Sequence, residues 1–345
     1  MIPTNHTKPA DKVFYKHNDV EITIINLCYN TGRFVINTLE SVKNQTFKKF
    51  ELLIVDDGSS DNSTDIIDDW IRKNEVLFPV NFIKNPHNIG ICKSLNIALK
   101  QAKGKYYAGI GDDLWSPEFL EKLHSILSVS PPNVCMVYSK ADIIDYYTNS
   151  KIGSLDPMKM LSDSDYAKKD FLFKQEDGDI YSLSKDLVQQ YLFYNNPVVA
   201  FTALIKIDAL ISVGGYNESF SFEDLATWFS LSRKFDFLYI NQSTGSYIRH
   251  DSSFTINNKR VLYKGLLDVY LYNKDLAKNK YIKAQLNESL FNYWCKLLPY
   301  WKKDLSKEAV IYSLKLMTIS WKLFYVLLLY PFNRLKTITL KRVQK

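Results

Sequence analysis

The chain has 345 residues, 46% of them hydrophobic and 14% aromatic, which excludes general disorder and leaves room for one large domain or two. Its four cysteines, Cys28, Cys92, Cys135 and Cys295, are scattered with no CxxC pair, which argues against a disulfide framework or a zinc site and for a reducing compartment. The net charge of +7 is uneven: residues 261–345 hold 16 Lys and Arg against 5 Asp and Glu, a net of +11, and the first 260 hold 28 against 32, a net of −4.

The N-terminus is polar (Asn5, His6, Lys8, Asp11) and has no apolar core of a signal peptide, so residues 1–19 read as a loose leader. Glu21–Leu27 is β-branched and predicts a first, buried strand ended by Cys28–Gly32. Phe34, Ile36, Leu39 and Val42 then give a helical apolar face. Phe50–Val55 predicts a second strand, running into the polar turn Asp56-Asp57-Gly58-Ser59-Ser60-Asp61 and a helix through Ile66, Ile67, Trp70 and Ile71. A third strand follows at Val80–Lys84, a loop at Asn85–Gly90, and a helix at Ser94–Ala102. The fourth strand opens Tyr106–Pro117. Strands alternating with helices predict an α/β fold with a doubly wound, mostly parallel sheet.

A fifth strand is expected at Val134–Tyr138. Between residues 140 and 199 the pattern weakens, which reads as an excursion shaping an acceptor pocket, with a helix at Ser184–Tyr194 ended by Asn195-Asn196-Pro197. A strand at Ala200–Ile205, a short helix at Ile207–Val213 and a turn at Gly214–Asn217 come next. Phe222-Glu223-Asp224 starts a helix, Phe237–Ile240 is a strand, and Ser246–Thr255 is a strand plus loop. After residue 260 the chain reads as helical. No internal repeat is visible.

The stretch that carries chemistry is Tyr-Tyr-Ala-Gly-Ile-Gly-Asp-Asp-Leu-Trp-Ser-Pro, residues 106–117. It holds two carboxylates, Asp112 and Asp113, at the carboxyl end of a buried strand, the edge where open α/β sheets bind ligands. Such carboxylates suit a hard divalent cation that also holds phosphates. The competing reading makes them turn and helix-cap residues.

Five blocks in order resemble the family-2, GT-A type glycosyltransferases over roughly residues 20–256. They are Ile24–Asn30; Thr38–Val42 with Gln45-Thr46 and Phe50–Ser59; Asn88-Ile89-Gly90 with Asn96; Gly111-Asp112-Asp113; and Gly214-Gly215-Tyr216 with Glu223-Asp224 and Trp228. The resemblance implies a catalytic domain at 20–256 with a helical, basic extension at 257–345. It implies transfer from a nucleoside-diphosphate sugar, UDP-linked, to a glycan or lipid-linked hydroxyl, with Mn²⁺ or Mg²⁺ as cofactor. Leu27, Tyr29 and Asn30 would line the donor pocket, and Asp57 would accept from the pyrimidine base, unless it only closes an Asx turn. Asp112 would meet ribose or metal and Asp113 metal; Ile110 stands where many members carry a further Asp. Asp224 would be the base of an inverting transfer, with Glu223 orienting it or touching the acceptor, against a helix-capping reading of both. His250, in Tyr247–His250, would approach the metal or diphosphate, against an ordinary structural histidine, and Arg249 would pair with phosphate.

The tail lies beyond the resemblance. Its continuous apolar run Leu323–Tyr330 is far short of the ~20 residues a spanning helix needs. With Trp321 and Tyr325 among the leucines and Arg334, Lys336, Lys341 and Arg342 after them, it predicts an interfacial segment on an anionic membrane, or else a helix packed on the domain. No nucleic-acid motif accompanies the charge. The expected location is the cytoplasm, peripheral to the inner membrane face. Two rivals remain, a non-catalytic nucleotide-sugar-binding protein of the same fold and a nucleotidyltransferase. The second wants a Gly-rich, basic phosphate loop after the first strand, which Cys28–Arg33 matches poorly.

Overall fold

The computed structural model describes residues 19–162, 174–253, 257–301 and 307–317. The leader, and the apolar run Leu323–Tyr330 with its basic flank, lie outside the described residues.

In chain order the strands are β1 (Ile22–Cys28), β2 (Phe50–Asp56), β3 (Val80–Lys84), β4 (Tyr106–Ile110), β5 (Leu114–Trp115), β6 (Val134–Asp145), β7 (Lys151–Leu155), β8 (Lys174–Asp177), β9 (Ile180–Leu183), β10 (Ala203–Lys206) and β11 (Asp236–Arg249). The helices are α1 (Val35–Lys43), α2 (Ser63–Lys73), α3 (Ile91–Leu99), α4 (Phe119–Leu127), α5 (Pro157–Ser162), α6 (Lys185–Tyr194), α7 (Ile207–Ser212), α8 (Asp224–Ser232), α9 (Lys259–Tyr272), α10 (Lys280–Trp301) and α11 (Lys307–Met317). All the strands join one sheet in the order β3-β2-β1-β4-β10-β6-β11-β9-β8, with β5 on β11 and β7 on β6.

The block β3-β2-β1-β4 is parallel, as helical crossovers require. β10 enters antiparallel between β4 and β6, and β11 returns parallel to β6. Successive residues of β1 feed opposite faces. Ile24 packs with Leu52, Ile54, Val35, Leu39, Phe119 and Leu123 beneath α1 and α4. Ile25 packs with Leu53, Val55, Leu95 and Ala98 beneath α3. A strand buried on both faces has no polar side to offer, which explains the unbroken apolar runs of β1 and β2.

The second face is closed by α6, α8 and the C-terminal helices. Leu267, Leu286, Leu290, Leu297 and Leu316 share a core with Leu192 and Phe229. Polar contacts fix the docking: Tyr270 Oη donates to Leu192 O at 3.2 Å, Ser289 Oγ to Phe193 O at 3.2 Å, and Arg233 forks onto Asp275 at 2.8 and 3.0 Å. The described part of the extension is therefore built onto the sheet through α6 and α8 rather than trailing from it.

β11 is longer than the sequence suggests. The polar stretch Asn241-Gln242-Ser243 reads as a break between two strands, yet the strand continues through it with register shifts against β6 at Ile240/Ser243 and Ser243/Ser246. Bulges bend a strand without ending it, and here they bring Arg249 and the following His250 to the carboxyl edge of β4.

Candidate active site

Parallel pairing puts Cys28 beside Asp56 and Asn26 beside Ile110, so the loops after β1, β2 and β4 open on one edge. Asn26 stitches that edge: its Nδ2 donates to Ile110 O at 3.1 Å and Gly111 O at 2.9 Å, fixing the turn that presents Asp112.

The loop after β1 is held by the loop after β2. Asn30 sits at φ +53°, a left-handed conformation that Asn tolerates better than most residues. Its Oδ1 accepts from Ser60 N at 2.8 Å and its N–H donates to Ser59 Oγ at 2.9 Å. Tyr29, next to it, is 49% exposed, and Leu27 is partly buried against the core. Asp56 closes its own turn by accepting from Ser59 N at 3.0 Å.

Asp57 is buried and heavily engaged. Its Oδ1 accepts from Asn85 Nδ2 at 3.0 Å, Ile89 N at 3.0 Å and Ser94 Oγ at 2.8 Å, and its Oδ2 from Gly90 N at 3.0 Å. Gly90 is the N-cap of α3, so the carboxylate answers the orphan donors and the positive end of that helix. Gly58, at φ +71°, lets the neighbouring loop come this close: a Cβ there would stand 2.3 Å from the carbonyl carbon of His87.

Asp112, Asp113 and His250 converge. His250 is buried, stacks on Phe34 with ring centroids 4.0 Å apart, and contacts Asp112 Oδ2 through Nε2 at 2.7 Å and Ser252 Oγ through Nδ1 at 2.9 Å. Asp113 is buried and accepts from Ile248 N at 3.0 Å. Burial, and then the charge of Asp112, holds the Asp113 carboxyl well above the usual carboxylate range. A buried carboxyl raised by an adjacent carboxylate belongs to a donor set that a hard divalent cation would relieve. Among the described residues no group of three or more His, Cys, Asp or Glu side chains is arranged to hold a metal ion.

Glu223 and Asp224 stand at the start of α8. Burial, and then the charge of Asp224, raises the Glu223 carboxyl to about 7. Burial also raises Asp224, while the N–H of Leu225 and the amide of Asn196 pull it back. Asn196 Nδ2 donates to Asp224 Oδ2 at 2.7 Å. Burial raises the Cys92 thiol in the first turn of α3, and the charges of Glu223, Glu218 and Asp224 add to it. That turn begins at the Asp57 clamp on Gly90. Further along α3, Asn96 grips the Gly214-Gly215-Tyr216 turn, accepting from Tyr216 N at 3.0 Å and donating to Tyr216 O at 2.9 Å.

Three residues of this site escaped the sequence reading. Asn26 is a lone amide inside an apolar strand, a signal that was available. Phe34 read only as part of a helical apolar face. Asn196 read only as a helix-ending residue before Pro197, and nothing local marks its partner 28 positions on.

Residues 23–178 match the family model described as glycosyl transferase family 2. Over 95 residues the chain is 38% identical to the UDP-Glc:alpha-D-GlcNAc-diphosphoundecaprenol beta-1,3-glucosyltransferase WfaP of Escherichia coli, a match covering 27% of this chain and 36% of that enzyme. The chain spans between 34% and 60% of the lengths of the first three curated relatives it matches. The described fold is similar to that of S. aureus TarS 1–349 in complex with UDP-GlcNAc (TM-score 0.59, 15% identity, 89% of this chain and 84% of that one). It is also similar to the mannosyltransferase PcManGT of Pyrobaculum calidifontis in complex with GDP-Man and Mn2+ (TM-score 0.53, 15% identity, 94% and 84%). At these identities the likeness is one of fold, the GT-A type.

Proposed function

Residues 23–178 form a glycosyl transferase family 2 domain, and from that premise we propose an inverting, metal-dependent glycosyltransferase. It moves a hexose or N-acetylhexosamine from a UDP-linked donor to a hydroxyl of a glycan or lipid-linked acceptor in cell-surface polysaccharide synthesis. The observation that carries the reading is α3, whose cap at Gly90 is held by Asp57 and whose Asn96 holds the Tyr216 turn that leads into Glu223-Asp224. One helix serving both the nucleotide-side loop and the approach to the acid pair supports a transferase site. The UDP-Glc in the name of WfaP and the UDP-GlcNAc held by TarS support the donor class, the Mn2+ held by PcManGT supports the cation, and the diphosphoundecaprenol in the name of WfaP supports the acceptor class.

Leu27, Tyr29 and Asn30 line the nucleotide, with Asp57 ordering the 85–90 loop beneath it and facing the base. Asp112 and Asp113 hold the cation, and Asp112 also faces the ribose. His250 orients Asp112 through its Nε2. A divalent cation held there neutralises the diphosphate that leaves. Asp224 takes the proton from the acceptor hydroxyl as its oxygen bonds to the anomeric carbon and the carbon–phosphate oxygen bond breaks. Burial and the charge of Asp224 raise the Glu223 carboxyl to about 7, while Leu225 N–H and the Asn196 amide favour the ionised form of Asp224, which suits Asp224 rather than Glu223 as the base.

A thermal-shift panel of UDP- and GDP-sugars with and without Mn²⁺ tests the donor and the cation together, because binding raises apparent stability. UDP-sugars should raise Tm only with metal present. No shift with any nucleotide sugar would overturn the reading.

The basic tail extends the proposal to the cytoplasmic membrane face. No helix among the described residues is long and apolar enough to cross a membrane. Each basic residue near an anionic surface adds about 1 kcal/mol that salt screens. Full-length protein should pellet with anionic vesicles at low salt, release at high salt and ignore neutral ones. Absence of binding to anionic vesicles would remove the membrane assignment.

A further inference from the structure

Asn196 lies on the loop between α6 and β10, outside every block that carries the family resemblance. Its backbone precedes Pro197, which confines it to extended conformations. Its Oδ1 accepts from Val198 N at 3.1 Å, and its Nδ2 donates to Asp224 Oδ2 at 2.7 Å. The Val198 N–H needs an acceptor, so the amide has one orientation and its donor end must face Asp224. The other oxygen of Asp224, Oδ1, accepts from Leu225 N at 2.6 Å. The carboxylate is thus gripped on both oxygens, one from its own helix and one from a loop 28 positions away.

We propose that Asn196 is a positioning residue for Asp224: it fixes the carboxylate's rotamer and, by donating a neutral hydrogen bond, keeps it ionised inside the protein. This rests on the reading of Asp224 as the base. The physical need is clear from the surroundings. Glu223 adjoins Asp224 in the chain, the charge of Asp224 is felt at the Cys92 thiol of α3 and the Tyr270 phenol of α9, and none of these groups brings a positive charge. Burial among such groups favours the protonated acid, which cannot accept a proton. A donor without charge favours the anion without holding it so strongly that its basicity is lost, as an Arg or Lys in the same place would.

The test uses two variants of the full-length chain and a readout that does not depend on the sugar. Asn196→Leu is nearly isosteric, adds no charge and removes the donor to Asp224 together with the acceptor for Val198 N. Asn196→Ala also removes both. In ¹³C-carboxyl NMR titrations, the step assigned to Asp224 by its loss in Asp224→Asn should move up by about one pH unit or more in either variant. In parallel, the acid limb of UDP release from UDP-glucose or UDP-N-acetylglucosamine should move up with it, and activity should recover at higher pH. A residue that only braced the loop would lower activity equally at every pH and leave the titration in place. An unchanged titration in Asn196→Leu overturns the proposal even if Asn196→Ala fails to fold. Undiminished UDP release in Asp224→Asn would instead overturn the reading of Asp224 as the base.

Discussion

Two pairs of adjacent acids sit on this edge, and their surroundings make them different reagents. Asp112-Asp113 is met by an imidazole on one carboxylate and a backbone N–H on the other. Glu223-Asp224 is met by an amide and a helix-start N–H, both on the same carboxylate. In the first pair burial and the charge of Asp112 hold the Asp113 carboxyl above the usual carboxylate range while Asp112 contacts a histidine, an arrangement that a cation would relieve. In the second pair Glu223 titrates at about 7, and Asp224 is pulled back toward the ionised form. The lesson is that a dipeptide of acids carries no fixed chemistry. Partners decide whether it gathers a metal or moves a proton.

Exchange of function between the pairs would break that comparison. Asp224→Asn should keep the fold and donor binding but lower turnover by at least ~10², the scale of general-base catalysis. Near-normal turnover in a verified assay would move the base elsewhere. Asp113→Ala should weaken metal-dependent binding of UDP about tenfold or more while leaving metal-free binding alone, read by calorimetry with and without Mn²⁺. Equal affinities would remove Asp113 from the cation site. The smallest effect sharpens the contrast through pH. The folded-state value of Glu223, about 7, lies above its ordinary 4.5, so between these values the folded chain binds a proton that the unfolded chain has lost. Stability from this group is full below about 4.5 and is lost as pH rises to about 7. Glu223→Gln should therefore raise Tm by a few degrees at pH 8 and by little at pH 4.5. The same gain at both pH values would mean that Glu223 is not the group that titrates.

The parallel block of the fold was legible because its strands are buried on both faces and written in β-branched residues. Val80–Lys84 is the strand expected, and β1 and β2 differ from expectation by one residue at their ends. The excursion was not legible. β7 reads Lys-Ile-Gly-Ser-Leu, with Lys151, Ile152 and Ser154 exposed and no face given wholly to the core, so neither periodicity nor propensity marks it. β11 was split because bulged residues need no apolar pattern. At the site, acids and the histidine could be nominated from sequence because their types are scarce at strand ends. Their uncharged partners could not, since Asn26 and Asn196 act through contacts that only the fold creates.

The grip of Asn96 on Tyr216 has a consequence for how such a chain can change. α3 is clamped at its start by Asp57 and along its length to the Gly214-Gly215-Tyr216 turn, and at Gly215 a Cβ would stand 2.8 Å from Asn96 Oδ1. The helix is in effect a ruler whose two marks are the nucleotide-side loop and the approach to Glu223-Asp224. Inserting or deleting a residue between those marks would turn the second by about 100° relative to the first. A residue added to or removed from the β6–β7 hairpin, whose tip at Tyr147 is 60% exposed, would instead leave the spacing of the two marks unchanged.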